Sequence, residues 1–244
     1  MVTFNAMGRM GNFLFQCATA FSFAKKYGLE FTVPHHTSHE FWSPLYLKHL
    51  QNPNYNNSLP TVRIDESHFH YSPIEFDESH RDKNILLYGY FQSEKYFMEH
   101  RDEILLAFNY PYDMKKDTVS VHVRRTDYIT YKDKHPEVTK EWYELAMSKF
   151  SDKNFIFYSD DISWCKENFS NRTDCSFSDG TIEEDLVSMS CCEHNICSAS
   201  TFAWWSMWLN QNENKKVIFP QKWFTDGWDG ADTKDILPEW VIKL

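Results

Sequence analysis

Glycine is scarce in this sequence, with seven among 244 residues. A glycine that interrupts an apolar pattern therefore marks a place where the backbone needs freedom or close approach. Apolar runs of 18 or more residues are absent, which excludes a membrane-spanning helix. The opening residues, MVTFNAMGRM, lack a basic segment followed by an apolar stretch and a cleavage site, so no secretion leader is expected. Basic residues are the minority: 25 Lys and Arg stand against 35 Asp and Glu, for a net charge of -10. That balance argues against nucleic acid as a partner, yet it leaves room for a small anion held by a local cluster of cations. The six cysteines, at 17, 165, 175, 191, 192 and 197, do not form the pattern of a small secreted disulfide scaffold and fit reduced thiols in the cytoplasm. Three N-x-S/T triplets, beginning at Asn56, Asn168 and Asn171, read as chance in a chain without a leader.

What is present in quantity is aromatic: 20 Phe, 13 Tyr and 9 Trp make up 17% of the chain, which indicates a globular protein. The length permits one large domain or two small ones. The pattern predicts strands over 2–5, 29–33, 85–90, 118–123, 154–159, 194–197 and 217–219. Helices are expected over 12–27, 93–107, 139–150, 161–168, 181–190 and 200–210, with a further one near 43–50. Gly28 is placed to stop the first helix and Thr139 to start the third. Residues 34–83 otherwise dissolve into His, Asn, Ser and Pro, and the polar stretch 111–117 reads as a domain junction. Strands alternating with helices point to an α/β fold with parallel sheet.

Three strand ends carry the chemistry. SVHVRRTDYI (120–129) sets Arg124, Arg125 and Asp127 just past an alternating run of valines. Ligands in open α/β sheets lie beyond the carboxyl ends of strands, and paired guanidiniums match a diphosphate; a structural Arg–Asp pair is the competing reading. AMGRMGN (6–12) places Gly8 and Gly11 between a strand and a long helix, which suits either an anion at the helix N-terminus or a tight turn. SMSCCEHNICSASTFAWWSMWLN (188–210) leads a strand into Ser198, Ser200 and Thr201, again small hydroxyls at a helix start. The spacing of Trp204, Trp205 and Trp208 is helical and reads as core. In FYSDDISW (157–164) one of Asp160 and Asp161 can cap a helix while the other contacts a ligand; two adjacent carboxylates are too few for a hard cation. The spacing of Cys191, Cys192, His194 and Cys197 does not match a zinc site.

In combination these stretches resemble a known set. HVRRTD (122–127) resembles the H-x-R-R-x-D motif shared by α1,2-, α1,6- and related fucosyltransferases. MGRMGNFLFQCA resembles the N-terminal G-x-x-G-N-x-x-F-Q block of the α1,2-fucosyltransferase family, glycosyltransferase family 11, although GRMGN replaces the commoner G-G-L-G-N. YSDDISWCK, the 188–210 stretch, VIFPQKW and TKDILPEWVIKL are similar to the later blocks of that family. The resemblance covers about 2–33 and 85–244. It implies a GT-B-like α/β fold, two Rossmann-like domains facing a central cleft, with an acceptor-side domain over 1–112 and a GDP-fucose-binding domain over 113–244. The C-terminal tail would pack back on the N-terminal half.

The resemblance also implies GDP-fucose as donor, a galactose-terminated oligosaccharide, polysaccharide or glycolipid as acceptor, inversion at the anomeric carbon, and no required metal or other cofactor. Carried over by position, Arg124 would bind the β-phosphate and matter most. His122 and Arg125 would shape the donor pocket, and Asp127 would orient an arginine. Arg9, Gly11 and Asn12 match a pattern also seen in protein O-fucosyltransferases, where the Asn lies near the glycosidic oxygen. Asp160 or Asp161 would touch guanosine, while Ser198, Ser200 and Thr201 would line the diphosphate. The general base is unassigned, with Asp127 and Asp133 as candidates. The expected location is cytoplasmic, with peripheral contact at a membrane surface. A fucosyltransferase of another linkage, a non-catalytic nucleotide-sugar binder and a zinc protein are the alternatives.

Overall fold

The structure is a computed structural model that describes residues 1–34, 47–108, 111–228 and 231–244. By its internal contacts the chain divides into two units. One comprises Met1–Tyr110 with Ala231–Pro238, the other Pro111–Gly230 with Glu239–Leu244.

The first unit is built on a three-stranded parallel sheet. Its strands are β1 (Val2–Phe4), β2 (Thr61–Asp65) and β3 (Asn84–Tyr88), in the order β1-β3-β2. Helix α1 (Met10–Lys26) follows β1 and buries nearly every side chain, including Phe13, Leu14, Phe15, Cys17, Ala18 and Phe23. It starts two residues earlier than the sequence pattern suggests, because Arg9 takes the extended N-cap position. It stops at Gly28, whose φ of +61° is the left-handed conformation that glycine adopts at little cost.

Three expectations for this unit need correction. LEFTV (29–33) contributes a single bridge, Phe31 to Val2, rather than a strand. The Val33 N–H donates to the Leu50 carbonyl, which draws the chain away from the sheet. Over 93–107 two 3-10 turns, Glu94–Tyr96 and Met98–His100, precede α2 (Arg101–Phe108), because Phe97 between them has φ -146° and ψ 0°. Of the helix expected near 43–50, the structure holds a 3-10 turn at Lys48–Leu50; residues 43–46 lie outside the described part. Strand β2 carried no readable signal, since its side chains are exposed or half-buried throughout. Five parallel pairings with β3 and stacking of Arg63 on Tyr88 hold it.

The second unit is built on a six-stranded parallel sheet in the order β6-β5-β4-β7-β8-β9. The strands are β4 (Lys115–Val123), β5 (Asn154–Ser159), β6 (Cys175–Phe177), β7 (Cys192–Ile196), β8 (Val217–Phe219) and β9 (Ile242–Lys243). Its helices are α3 (Thr126–Thr130), α4 (Lys140–Met147), α5 (Ile162–Phe169), α6 (Ile182–Cys191) and α7 (Thr201–Leu209). Short edge strands β6 and β9 and the one-turn α3 are additions to the sequence reading. Caps start the helices where the sequence places them. Thr139 accepts from the Trp142 N–H and Asp161 from the Trp164 N–H, while Thr181 and Glu184 form a reciprocal capping box.

Strand β4 is central and buried on both faces. Val119, Val121 and Val123 pack with Tyr143, Ala146 and Met147 of α4 and Cys165 and Phe169 of α5. The alternating Ser120 and His122 are buried too, and so need partners. Asn195 donates to the Ser120 hydroxyl and to the Met189 carbonyl, and Asn210 donates to Asn195 in turn. Trp204, Trp205 and Trp208 of α7 are core residues, each at most 2% exposed.

Candidate functional site

In the second unit, parallel pairing of β4 with both β5 and β7 sets three carboxyl ends side by side. They carry Asp160 and Asp161 after β5, Arg124 and Arg125 after β4, and Ser198, Ser200 and Thr201 after β7. Two of the three strand ends expected to hold one anion are therefore adjacent. The third, at Gly8–Asn12, belongs to the first unit.

Arg124 is fixed by two carboxylates. Its Nη2 lies 2.7 Å from Asp127 Oδ1 and its Nη1 lies 3.0 Å from Asp160 Oδ2. A guanidinium has five N–H donors, so these two bonds orient the group while others stay available. Asp160 also accepts from the Arg125 N–H at 2.9 Å, from the Thr126 N–H at 3.3 Å and from the Thr126 hydroxyl. One carboxylate thus ties the whole turn 124–126 to the end of β5. Asp161 caps α5 through Oδ1, and its Oδ2 lies 3.4 Å from Arg125 Nε. Arg125 lies over the Trp164 ring at 4.3 Å. Both the structural Arg–Asp pairing and the capping role are realised, and the carboxylates expected to reach guanosine already have these internal partners.

Beneath the arginines, His122 is buried and its Nδ1 lies 2.8 Å from Ser198 Oγ. Burial lowers its pKa to about 4, with nearby Asp160 pulling weakly the other way, so the ring is neutral at neutral pH. It acts as a hydrogen-bonded post between β4 and the Ser198 loop. The Tyr128 hydroxyl donates to the Ala199 carbonyl at 2.6 Å, linking the same loop to α3. Tyr128 stacks on His135 with ring centres 4.1 Å apart, and its ring lies 5.8 Å from the Arg124 guanidinium. No sequence motif flagged Tyr128 or His135; their aromatic character next to the paired arginines is the signal that was there. Ser200 is the N-cap of α7 but its side chain makes no capping bond, and Thr201 opens the helix.

In the first unit, Gly8 has φ +72°, and Arg9 and Gly11 flank the start of α1. Met7 and Gln16 exchange two hydrogen bonds, at 3.1 and 3.3 Å, that close the turn. Asn12 Oδ1 accepts from Gln92 Nε2 at 2.9 Å, which joins the end of β1 to the loop after β3. A Cβ at Gly8 would collide with the Asn12 amide. Gly8→Ala is therefore expected to break the Asn12–Gln92 bond and to cost about 1–2 kcal/mol for the left-handed backbone. Urea unfolding measures this; an unchanged midpoint would show that the turn tolerates a side chain.

Among the described residues, no three His, Cys, Asp or Glu side chains come together as a metal site. Cys191, Cys192 and Cys197 each donate to a separate main-chain carbonyl, of Pro111, Ser188 and Ala203. No described helix is long and apolar enough to cross a membrane. A cavity of about 550 Å³ lies at the opposite, N-terminal end of β5, between Met147, Lys153, Phe155 and Arg172. Its cations are already paired, Lys153 with Asp117 and Glu193, Arg172 with Asp174. Ligand sites of parallel sheets open at the other end.

Likeness to known proteins agrees with this geometry. An alpha-1,2-colitosyltransferase of Escherichia coli is 33% identical over 179 residues, 64% of this chain and 61% of the relative. A galactoside alpha-(1,2)-fucosyltransferase 2 of Hylobates lar is 24% identical over 97% of this chain and 81% of the relative. The chain spans less than two thirds of the length of the colitosyltransferase and of a second E. coli relative, the O-antigen biosynthesis glycosyltransferase WbnK. Among solved structures, the alpha-1,6-fucosyltransferase NodZ co-crystallised with GDP superposes with TM-score 0.51 at 11% identity, over 84% of this chain and 91% of that one. That likeness supports the GT-B-like α/β fold. The profile of glycosyl transferase family 11 matches residues 1–243, across both units, and the chain belongs to that family.

Proposed function

We propose that this protein is an inverting, metal-independent transferase that moves L-fucose from GDP-fucose to the 2-hydroxyl of a galactose-terminated glycan. The observation that carries the reading is the fixed guanidinium of Arg124 at the carboxyl end of β4, with the neutral His122–Ser198 pair beneath it. In metal-free transfer, cationic donors must stabilise the charge that develops on the leaving diphosphate, and an arginine oriented beforehand does so without reorganising. The second unit would hold the donor and the first the acceptor. The α1,2 linkage is common to the names of the colitosyltransferase and of the mammalian relative, which supports the linkage more strongly than the sugar. A colitosyl donor is accordingly the second reading, since colitose differs from fucose by one hydroxyl. Polysaccharide or lipid-linked glycans are the natural acceptors, reached from the cytoplasmic side of a membrane.

The test is incubation with GDP-fucose and lactose in EDTA, with the product examined by NMR. The expected result is acceptor-dependent GDP release and an α-fucosyl signal coupled to C2 of galactose. Release with a different linkage would overturn the acceptor assignment. Tight donor binding without release would mark a non-catalytic binder, and inhibition by EDTA would overturn the metal-free mechanism.

A further inference from the structure

Glu66 follows the last residue of β2, at the carboxyl edge of the first unit's sheet. Its Oε2 accepts from the Tyr90 N–H at 2.7 Å and its Oε1 from the Phe91 N–H at 2.9 Å. Gly89 makes room for it: a Cβ there would strike the Glu66 side chain. Phe91 is held at φ +52°, an uncommon conformation for a bulky residue, with its carbonyl accepting from the Ser93 N–H. The next residue, Gln92, donates to Asn12. One loop, Gly89–Gln92, therefore holds both Glu66 and Asn12.

Among the described residues no Lys, Arg or His forms an ion pair with Glu66. The titratable group that faces it is Tyr96, whose phenol is pushed up to about 12, first by burial and in part by the Glu66 charge. Burial pushes the Glu66 carboxyl up to about 7, against the pull of the two N–H bonds. A carboxylate that only pegged a loop would gain nothing from being half-protonated at neutral pH. A proton acceptor works best there. Each oxygen keeps a lone pair beyond its N–H bond. The rival aspartates are engaged: Asp127 holds Arg124, and the turn at Asp133 is bonded to Thr225 through its carbonyl.

We propose that Glu66 is the general base of the transfer and takes the proton from the acceptor hydroxyl. This rests on the fucosyl-transfer reading. The acceptor oxygen bonds to the anomeric carbon as the bond from that carbon to the β-phosphate oxygen breaks. The bond pair leaves with GDP, and the hydroxyl proton passes to the Glu66 carboxylate.

The test compares the full chain with Glu66→Gln and Glu66→Asp, using GDP-fucose with lactose or with sodium azide, a nucleophile that needs no base. For Glu66→Gln, kcat with lactose is expected to fall about 10²-fold or more at pH 8, while the donor KM stays within about threefold. In the wild type kcat should fall below pH 7 as Glu66 is protonated; that acid limb should vanish in Glu66→Gln. Azide should release GDP equally well from both proteins. Near-normal kcat with lactose, an unmoved acid limb, or an equal loss with azide would overturn the proposal, the last marking a structural peg. Should Glu66→Gln not fold, Glu66→Asp decides: a displaced acid limb supports the base and an unmoved one overturns it. A wild-type chain that turns over neither lactose nor azide would overturn the fucosyl-transfer reading itself, and the base with it.

Discussion

Arg124→Ala is expected to lower kcat/KM for GDP-fucose by about 10³-fold, the range for removing one charged donor from a leaving-group site plus its share of donor binding. The fold should survive. Arg124 lies at the end of β4 with its side chain 16% exposed, and its two ion pairs are shared with other partners. Asp160 would keep the Arg125 and Thr126 N–H bonds. A partly exposed pair of this kind contributes about 1 kcal/mol. Steady-state kinetics beside a urea titration separate the two effects. Loss of turnover with an unshifted midpoint is the expected pattern; near-normal turnover would mean that Arg124 and Asp127 are a structural pair and nothing more. Arg124→Lys should rescue little, because an ammonium cannot span two carboxylates and a phosphate in one plane.

Asp160→Ala should do the reverse, damaging structure first and turnover through it. The substitution strips the acceptor from four donors at once: Arg125 N–H, Thr126 N–H, the Thr126 hydroxyl and Arg124 Nη1. Unpaired donors in a half-buried turn cost about 2–3 kcal/mol together. The turn 124–126 then loses its anchor to β5, and Arg124 is held by Asp127 alone. Misplacement of a positioned group by about 1 Å can cost about 10²-fold in rate, so kcat/KM should fall on that order. Asp160→Asn keeps an acceptor for the main chain but removes the charge facing Arg124, and should lie between. A variant with normal stability and normal kcat/KM would contradict the anchoring role.

The limits of reading this chain from sequence follow from what periodicity can carry. Strand β5 was legible to the residue because Phe155, Phe157 and Tyr158 are buried and Asn154 and Ser159 bound them. Helix starts at Thr139, Asp161 and Thr181 were legible because a cap is a local event. Strand β2 was not, since it has no buried face to generate an alternation. LEFTV had the alternation but lacked a partner along its length, which is a tertiary fact. The functional cluster divides the same way. The type of residue at each strand end was readable. That Asp160 would anchor the arginine turn 35 residues earlier, or that Glu66 would sit on the loop beginning at Gly89, depends on which strands pair. A lone Glu in the polar 61–70 stretch carries no local signal.

The central claim is that Arg124 meets the diphosphate of a guanosine nucleotide. Calorimetric titration of GDP and of guanosine into the wild type and Arg124→Ala tests it most directly. The account predicts that the wild type binds GDP far more tightly than guanosine and that Arg124→Ala loses about 10-fold or more of that advantage while guanosine binds both alike. Equal preference for GDP in the two proteins would contradict it.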